Sequence, residues 1–143
     1  MACNGGTLKS TVLLALSALA FLVTVIGAAR AGGDAARNVV PGEAQTLIRE
    51  NAGNRNFVIL DVRTPGEFAQ GHLGGAVLVD YRFPRFREEM AGQDRTKTYL
   101  VYCRTGNRSA LALGVMRELG FQSYYHLVGG IKRWLEEGLP AVR

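Results

Sequence analysis

Three short runs constrain the fold most. NFVILDV (56–62), GAVLVDY (75–81) and KTYLVYC (97–103) are apolar on consecutive positions rather than alternate ones. A strand with one solvated face alternates apolar and polar residues, so a continuous apolar run of strand length implies cover on both faces. Segments with helical patterning lie between these runs. In VVPGEAQTLIREN (39–51), Pro41 opens a helix, Ala44, Leu47 and Ile48 share one face, and Gly53 follows as a stop. TPGEFAQ (64–70) suits a short helical turn, and Phe83 to Met90 a short helix. Beyond the third run, Ser109 is the expected N-cap of a helix carrying Leu111, Val115, Met116 and Leu119 at helical spacing, ended by Gly120. YYHLVGG (124–130) reads as another strand and turn. IKRWLEEGLP (131–140) reads as a closing helix with Ile131, Trp134 and Leu135 on one face. Strands and helices in alternation predict an α/β fold: a mainly parallel sheet with helices on both faces.

The first thirty residues are expected to lie outside that fold. Lys9 precedes a 19-residue apolar run, TVLLALSALAFLVTVIGAA (11–29), which ends in ARAG (29–32). A basic start, an apolar middle and a small-x-small end describe a secretory signal peptide, with cleavage expected after Ala31. The alternative is an uncleaved membrane anchor, for which 19 residues lie near the lower limit of a span. Either reading puts the folded part in the periplasm or outside the cell. The organisation expected is thus a signal peptide at 1–31, a flexible leader at 32–38 and one domain at 39–143. Without Lys9 and Arg30 the 17 basic residues fall to 15, against 12 acidic ones. That mild excess is scattered rather than gathered into a stripe, and gives no nucleic-acid signature. Contact with a membrane is expected only if the N-terminal segment stays attached.

Of the two cysteines, Cys3 precedes the apolar run, so the mature domain keeps Cys103 alone and cannot form an internal disulfide. A lone thiol in an oxidising compartment is a hazard unless it is buried or used. Cys103 stands at the carboxyl end of an apolar run, where α/β sheets carry their functional loops. It opens the stretch CRTGNRS (103–109). It could be a small core residue followed by an ordinary turn. Its neighbours favour a nucleophile, because a core cysteine has no use for Arg104, Gly106, Asn107 and Arg108 in the next five positions. The N-terminus of the following helix and the two guanidiniums all favour the thiolate, which is the nucleophilic form. Gly106 and Asn107 tolerate the tight backbone of a loop whose amides converge on one point, where an anion can also bind.

Together, DVRTPGEFAQGHLGGAV (61–77), YCRTGNRS (102–109) and LVGGIKRWLEEGLP (127–140) resemble a single-domain rhodanese, a member of a sulfurtransferase family. The resemblance runs from about Val39 to Pro140. It implies a five-stranded parallel sheet flanked by helices, with the active-site loop between the fourth strand and the next helix. It further implies that Cys103 is catalytic and accepts sulfane sulfur as a persulfide, and that Arg104, Thr105, Gly106, Asn107 and Arg108 bind the substrate. Asp61, Arg63 and Glu67 match the family's strand-end motif and are expected to be a structural polar set. His72, in a turn, is expected to be a hydrogen-bonding scaffold residue, and His126, inside a strand, to be structural.

The function expected is therefore sulfur transfer from thiosulfate or a related small anionic donor, through Cys103, to an external thiol or cyanide. A periplasmic thiol protein is one such acceptor. No cofactor is expected, and the histidines and cysteines are too few for a tetrahedral metal site. Two other readings have to be weighed. One is a sulfur carrier or protein-interaction domain that holds persulfide without turnover on small acceptors. The other is a cysteine phosphatase, but Cys103 to Arg108 is a loop of six residues, one fewer than phosphatase loops of the cysteine-x5-arginine type.

Overall fold

The computed structural model describes Met1 and residues 36–143. The expected signal peptide, its cleavage point after Ala31 and the start of the leader lie outside the described residues. Ten elements follow in chain order. These are β1 (Arg37–Val39), α1 (Pro41–Glu50), β2 (Phe57–Asp61), α2 (Pro65–Ala69), β3 (Val77–Leu78), α3 (Phe86–Ala91), β4 (Thr98–Tyr102), α4 (Asn107–Glu118), β5 (Ser123–Leu127) and α5 (Gly130–Glu136). The sheet has five strands in the order β1-β5-β4-β2-β3, and every pairing is parallel. Among the described residues, no helix is long and apolar enough to cross a membrane.

The two-residue period of a strand divides the core. On β4, Tyr99 and Val101 point to one face with Cys103 beyond them, and Leu100 and Tyr102 point to the other. The first face is covered by Phe86 and Met90 of α3 and by Ala112, Leu113 and Met116 of α4. Ala44 of α1 and Ile131 and Trp134 of α5 cover the second. Both faces of the central strands are dry, which explains their unbroken apolar runs.

Four local expectations are corrected. Arg37 and Asn38, placed in the flexible leader, form β1 with Val39 and pair with Tyr125, His126 and Leu127 of β5. An edge strand of three mostly exposed residues carries no apolar pattern to reveal it. GAVLVDY is not a buried strand: only Val77 and Leu78 pair with β2, at the sheet's other edge, and Val77 is exposed. The short helix expected from Phe83 instead starts at Phe86, after the turn that closes Phe83 N–H onto the Asp80 carbonyl. Finally, Leu111 and Leu135 face solvent, because the covered stripe of α4 runs through Ala112, Leu113 and Met116, and that of α5 through Ile131 and Trp134.

Candidate active site

Cys103 follows the last residue of β4 and is 1% exposed. Its loop is held from below by α5, whose first turn donates Ile131 N–H to the Cys103 carbonyl (2.9 Å) and Lys132 N–H to the Arg104 carbonyl (3.0 Å). Gly106, with φ of 105°, is the residue that turns the chain into α4, and it takes the N-cap position expected for Ser109. Only glycine enters that left-handed region without strain. The turn aims Gly106 N–H at the Cys103 sulfur (3.1 Å). Ser109 lies inside the first turn of α4, fully buried, with its hydroxyl 3.5 Å from the same sulfur.

These contacts decide the state of the thiol. Burial pushes Cys103 up, but the Ser109 hydroxyl and the amides of Ser109, Gly106 and Thr105 more than offset it, so the thiol is held below its ordinary value. The hydrogen-bond donors are the main support of the charged sulfur, with Arg108 adding a longer-range attraction.

The two arginines are placed differently. Arg108 is clamped by Glu67: Nη1 donates to Oε2 and Nη2 to Oε1, both at 2.7 Å. Thr64 holds the same carboxylate with its backbone N–H and hydroxyl, and its own side-chain oxygen caps α2 by accepting Glu67 N–H. Arg108 therefore ties the start of α4 to α2, with its charge largely answered. Arg104 is exposed and borders an open cleft of about 740 Å³ above the loop, together with Thr105, Asn107, Arg82 and Lys132.

The clamp holds the Glu67 carboxyl down to about 2, chiefly through the Arg108 hydrogen bonds, against a smaller opposing effect of burial. A depressed carboxyl contributes stability that is complete above its ordinary value of 4.5 and is lost as pH falls towards 2. Glu67→Gln is thus expected to lower stability at neutral pH by about 1–2 kcal/mol. The gap between variant and wild type should shrink across that acid window. Denaturant titrations at a series of pH values measure it, and a gap that does not change with pH would remove the carboxylate charge from the explanation.

The expected set of Asp61, Arg63 and Glu67 is thereby split. Asp61 is fully buried and pairs with Arg63, whose Nη2 lies 2.7 Å from Asp61 Oδ2 and 2.7 Å from the Gly71 carbonyl. Glu67 serves the cysteine loop instead. His72 stacks on Phe68 at 3.7 Å, and its Nδ1 lies 3.1 Å from the Phe68 carbonyl, which is a scaffold role. His126, expected to be structural, reaches the cysteine loop: its Nε2 lies 2.9 Å from Ser109 Oγ and 3.2 Å from the Gly106 carbonyl. The sequence gives no sign of that meeting, which depends on the register of β5 against β4.

Comparison with known proteins agrees with this architecture. The family model described as a rhodanese-like domain matches residues 43–137. A protein of Mycobacterium tuberculosis named as a probable adenylyltransferase/sulfurtransferase, MoeZ, is 36% identical over 86 residues, which are 60% of this chain but only 22% of that protein. A sulfurtransferase of Allochromatium vinosum is 31% identical over 100 residues, covering 70% of this chain and 92% of its own. The crystal structure of a rhodanese-related protein from Thermoplasma volcanium superposes with a TM-score of 0.62 at 32% identity, over 74% of this chain and 97% of that one. With the parallel five-stranded sheet and a loop of amides closing on a cysteine, these matches make the chain a member of the rhodanese-like sulfurtransferase family.

Proposed function

We propose that the protein transfers sulfane sulfur from thiosulfate or a related small anionic donor to an external thiol or cyanide, through a persulfide on Cys103. The observation that carries this reading is the ring of donors on the Cys103 sulfur: Gly106 N–H, the Ser109 hydroxyl and the neighbouring amides of the loop. In the first step the Cys103 thiolate attacks the outer sulfur of the donor. An S–S bond forms, the bond from that sulfur to the rest of the donor breaks, and the electron pair leaves with the departing group, which is sulfite when the donor is thiosulfate. In the second step the acceptor attacks the outer sulfur, and Cys103 departs as a thiolate into the same ring of donors. This is two-step covalent catalysis. Arg104 at the rim supplies positive charge to the anionic donor, and Arg108, fixed by Glu67, keeps the loop in shape.

Sulfur leaving Cys103 needs a nucleophile from elsewhere, because Cys103 is the one free cysteine among the described residues. Thiosulfate should therefore raise the intact mass by one sulfur atom. Protein then freed of donor should keep that sulfur on standing and release it at a rate proportional to added acceptor. Release unchanged by acceptor concentration would overturn transfer to an external partner. Retention against every small acceptor would leave the carrier reading in its place.

A further inference from the structure

Ser109 has one hydroxyl proton and three neighbours that could take it: the Cys103 sulfur at 3.5 Å, the Gly106 carbonyl at 2.9 Å and His126 Nε2 at 2.9 Å. By distance alone the sulfur comes last. A serine in the first turn of a helix readily bonds back to the carbonyl three residues earlier, which here is Gly106. What directs the proton is the hydrogen-bonding capacity of that carbonyl. Its oxygen has two lone pairs. Ala110 N–H fills one of them at 3.0 Å as the first hydrogen bond of α4. His126 Nε2 stands 3.2 Å away, in position to fill the other.

We propose that His126 is a positioning residue for Cys103: its Nε2–H, shared between the Ser109 oxygen at 2.9 Å and the Gly106 carbonyl at 3.2 Å, fills the remaining lone pair of that carbonyl, so that the Ser109 hydroxyl gives its proton to the sulfur. The inference rests on the proposed role of Cys103 as nucleophile.

The tautomer follows from the surroundings. With the proton on Nδ1 instead, the Nε2 lone pair would face the carbonyl oxygen at 3.2 Å and would take the Ser109 proton away from the sulfur. On the other side of the ring, Nδ1 lies 3.2 Å from Asn38 Oδ1 of β1, an acceptor that would call for a proton on Nδ1, so the Nε2–H tautomer goes with the Asn38 amide turned over. That amide can present its NH2 to an unprotonated Nδ1, since its two ends exchange by rotation. Burial pushes the imidazole down, against the opposing effect of the Gly106 carbonyl, which favours the neutral ring with a single N–H. Among the described residues, the titratable and charged groups facing His126 are Cys103 through Ser109, and Arg117 and Tyr124, which border a cavity of about 460 Å³ beside the ring. The same sulfur that attacks in the first step leaves in the second, so one hydroxyl proton serves both.

The test is the pH dependence of iodoacetamide alkylation in the full chain, followed on the Cys103 peptide by mass spectrometry. Wild-type Cys103 is expected to titrate below an ordinary thiol. Ser109→Ala and His126→Asn, which is too short to reach the carbonyl, should each raise the midpoint by about one pH unit, a roughly tenfold loss of thiolate at a fixed lower pH. The double variant should add little to either single change, because both act on one proton. His126→Gln carries an amide N–H where Nε2 stood and should recover most of the low midpoint. A merely structural histidine would not move the midpoint in this pattern. If the wild-type midpoint is low and His126→Asn leaves it there, or if the two single shifts simply add, the positioning role is overturned and the proposed function stands. An ordinary midpoint in the wild type would overturn both.

Discussion

Cys103→Ser is expected to reduce sulfur transfer by a factor on the order of 10³ or more, with no persulfide detectable after thiosulfate. A hydroxyl is a far weaker nucleophile than a thiolate, and the donors around the sulfur cannot ionise it at neutral pH. Those same donors can still bond a serine oxygen. Gly106 N–H and the Ser109 hydroxyl point at the position the sulfur occupies, so the buried hydroxyl is not left without partners. The cost to stability should be about 1 kcal/mol or less. Loss of activity with a near-native melting curve separates a nucleophile from a packing residue, which would fail in the reverse pattern. Thiocyanate formation from thiosulfate and cyanide is the direct assay. A variant that retains more than a tenth of the wild-type rate would mean that sulfur passes through another group.

The fold was legible where the chain is buried on both sides. NFVILDV and KTYLVYC became β2 and β4, neighbouring interior strands with a covered face on either side, and their unbroken apolar character is a direct consequence of that position. Legibility failed at the edges. β1 is three residues long, and only Val39 of them is buried, so its pairing depends on backbone hydrogen bonds, which any residue but proline can make. The site divides in the same way. Cys103 to Arg108 is contiguous and could be read as a unit, including the need for glycine at 106. Its supports come from elsewhere in the chain. Glu67 meets Arg108 across 41 residues, and His126 meets Gly106 across 20. Such pairs follow from the packing of α2 and β5 against the loop, and no local pattern encodes them. Arg108 shows the consequence. Its charge counted towards the thiol in the sequence; in the fold it still attracts the Cys103 sulfur, but a carboxylate from α2 holds it first.

Gly130→Ala should be the most damaging conservative change outside the loop, because two independent constraints meet there. Gly130 opens α5 with φ of +60°, a conformation that costs an L-residue about 1–2 kcal/mol. It also lies directly against the cysteine loop: an added Cβ would stand 2.6 Å from both the carbonyl carbon and the oxygen of Arg104, and would also collide with the Cys103 carbonyl. These are backbone atoms that no rotamer change can move. Relief requires α5 to back away, and that breaks the bonds from Ile131 and Lys132 to the Cys103 and Arg104 carbonyls. Gly53→Ala is the matched control. Its φ is 77°, with nothing within 4 Å of an added Cβ, so it carries the conformational cost alone. Gly53→Ala should lower the melting temperature by roughly 4–8 °C, as about 1 kcal/mol does in a domain of this size, and leave sulfur transfer unchanged. Gly130→Ala should cost about 3 kcal/mol or more, and the folded fraction should transfer sulfur poorly because the ring of donors has lost its support. If the two variants melt together and transfer sulfur equally well, the close approach of α5 does not shape the cysteine loop.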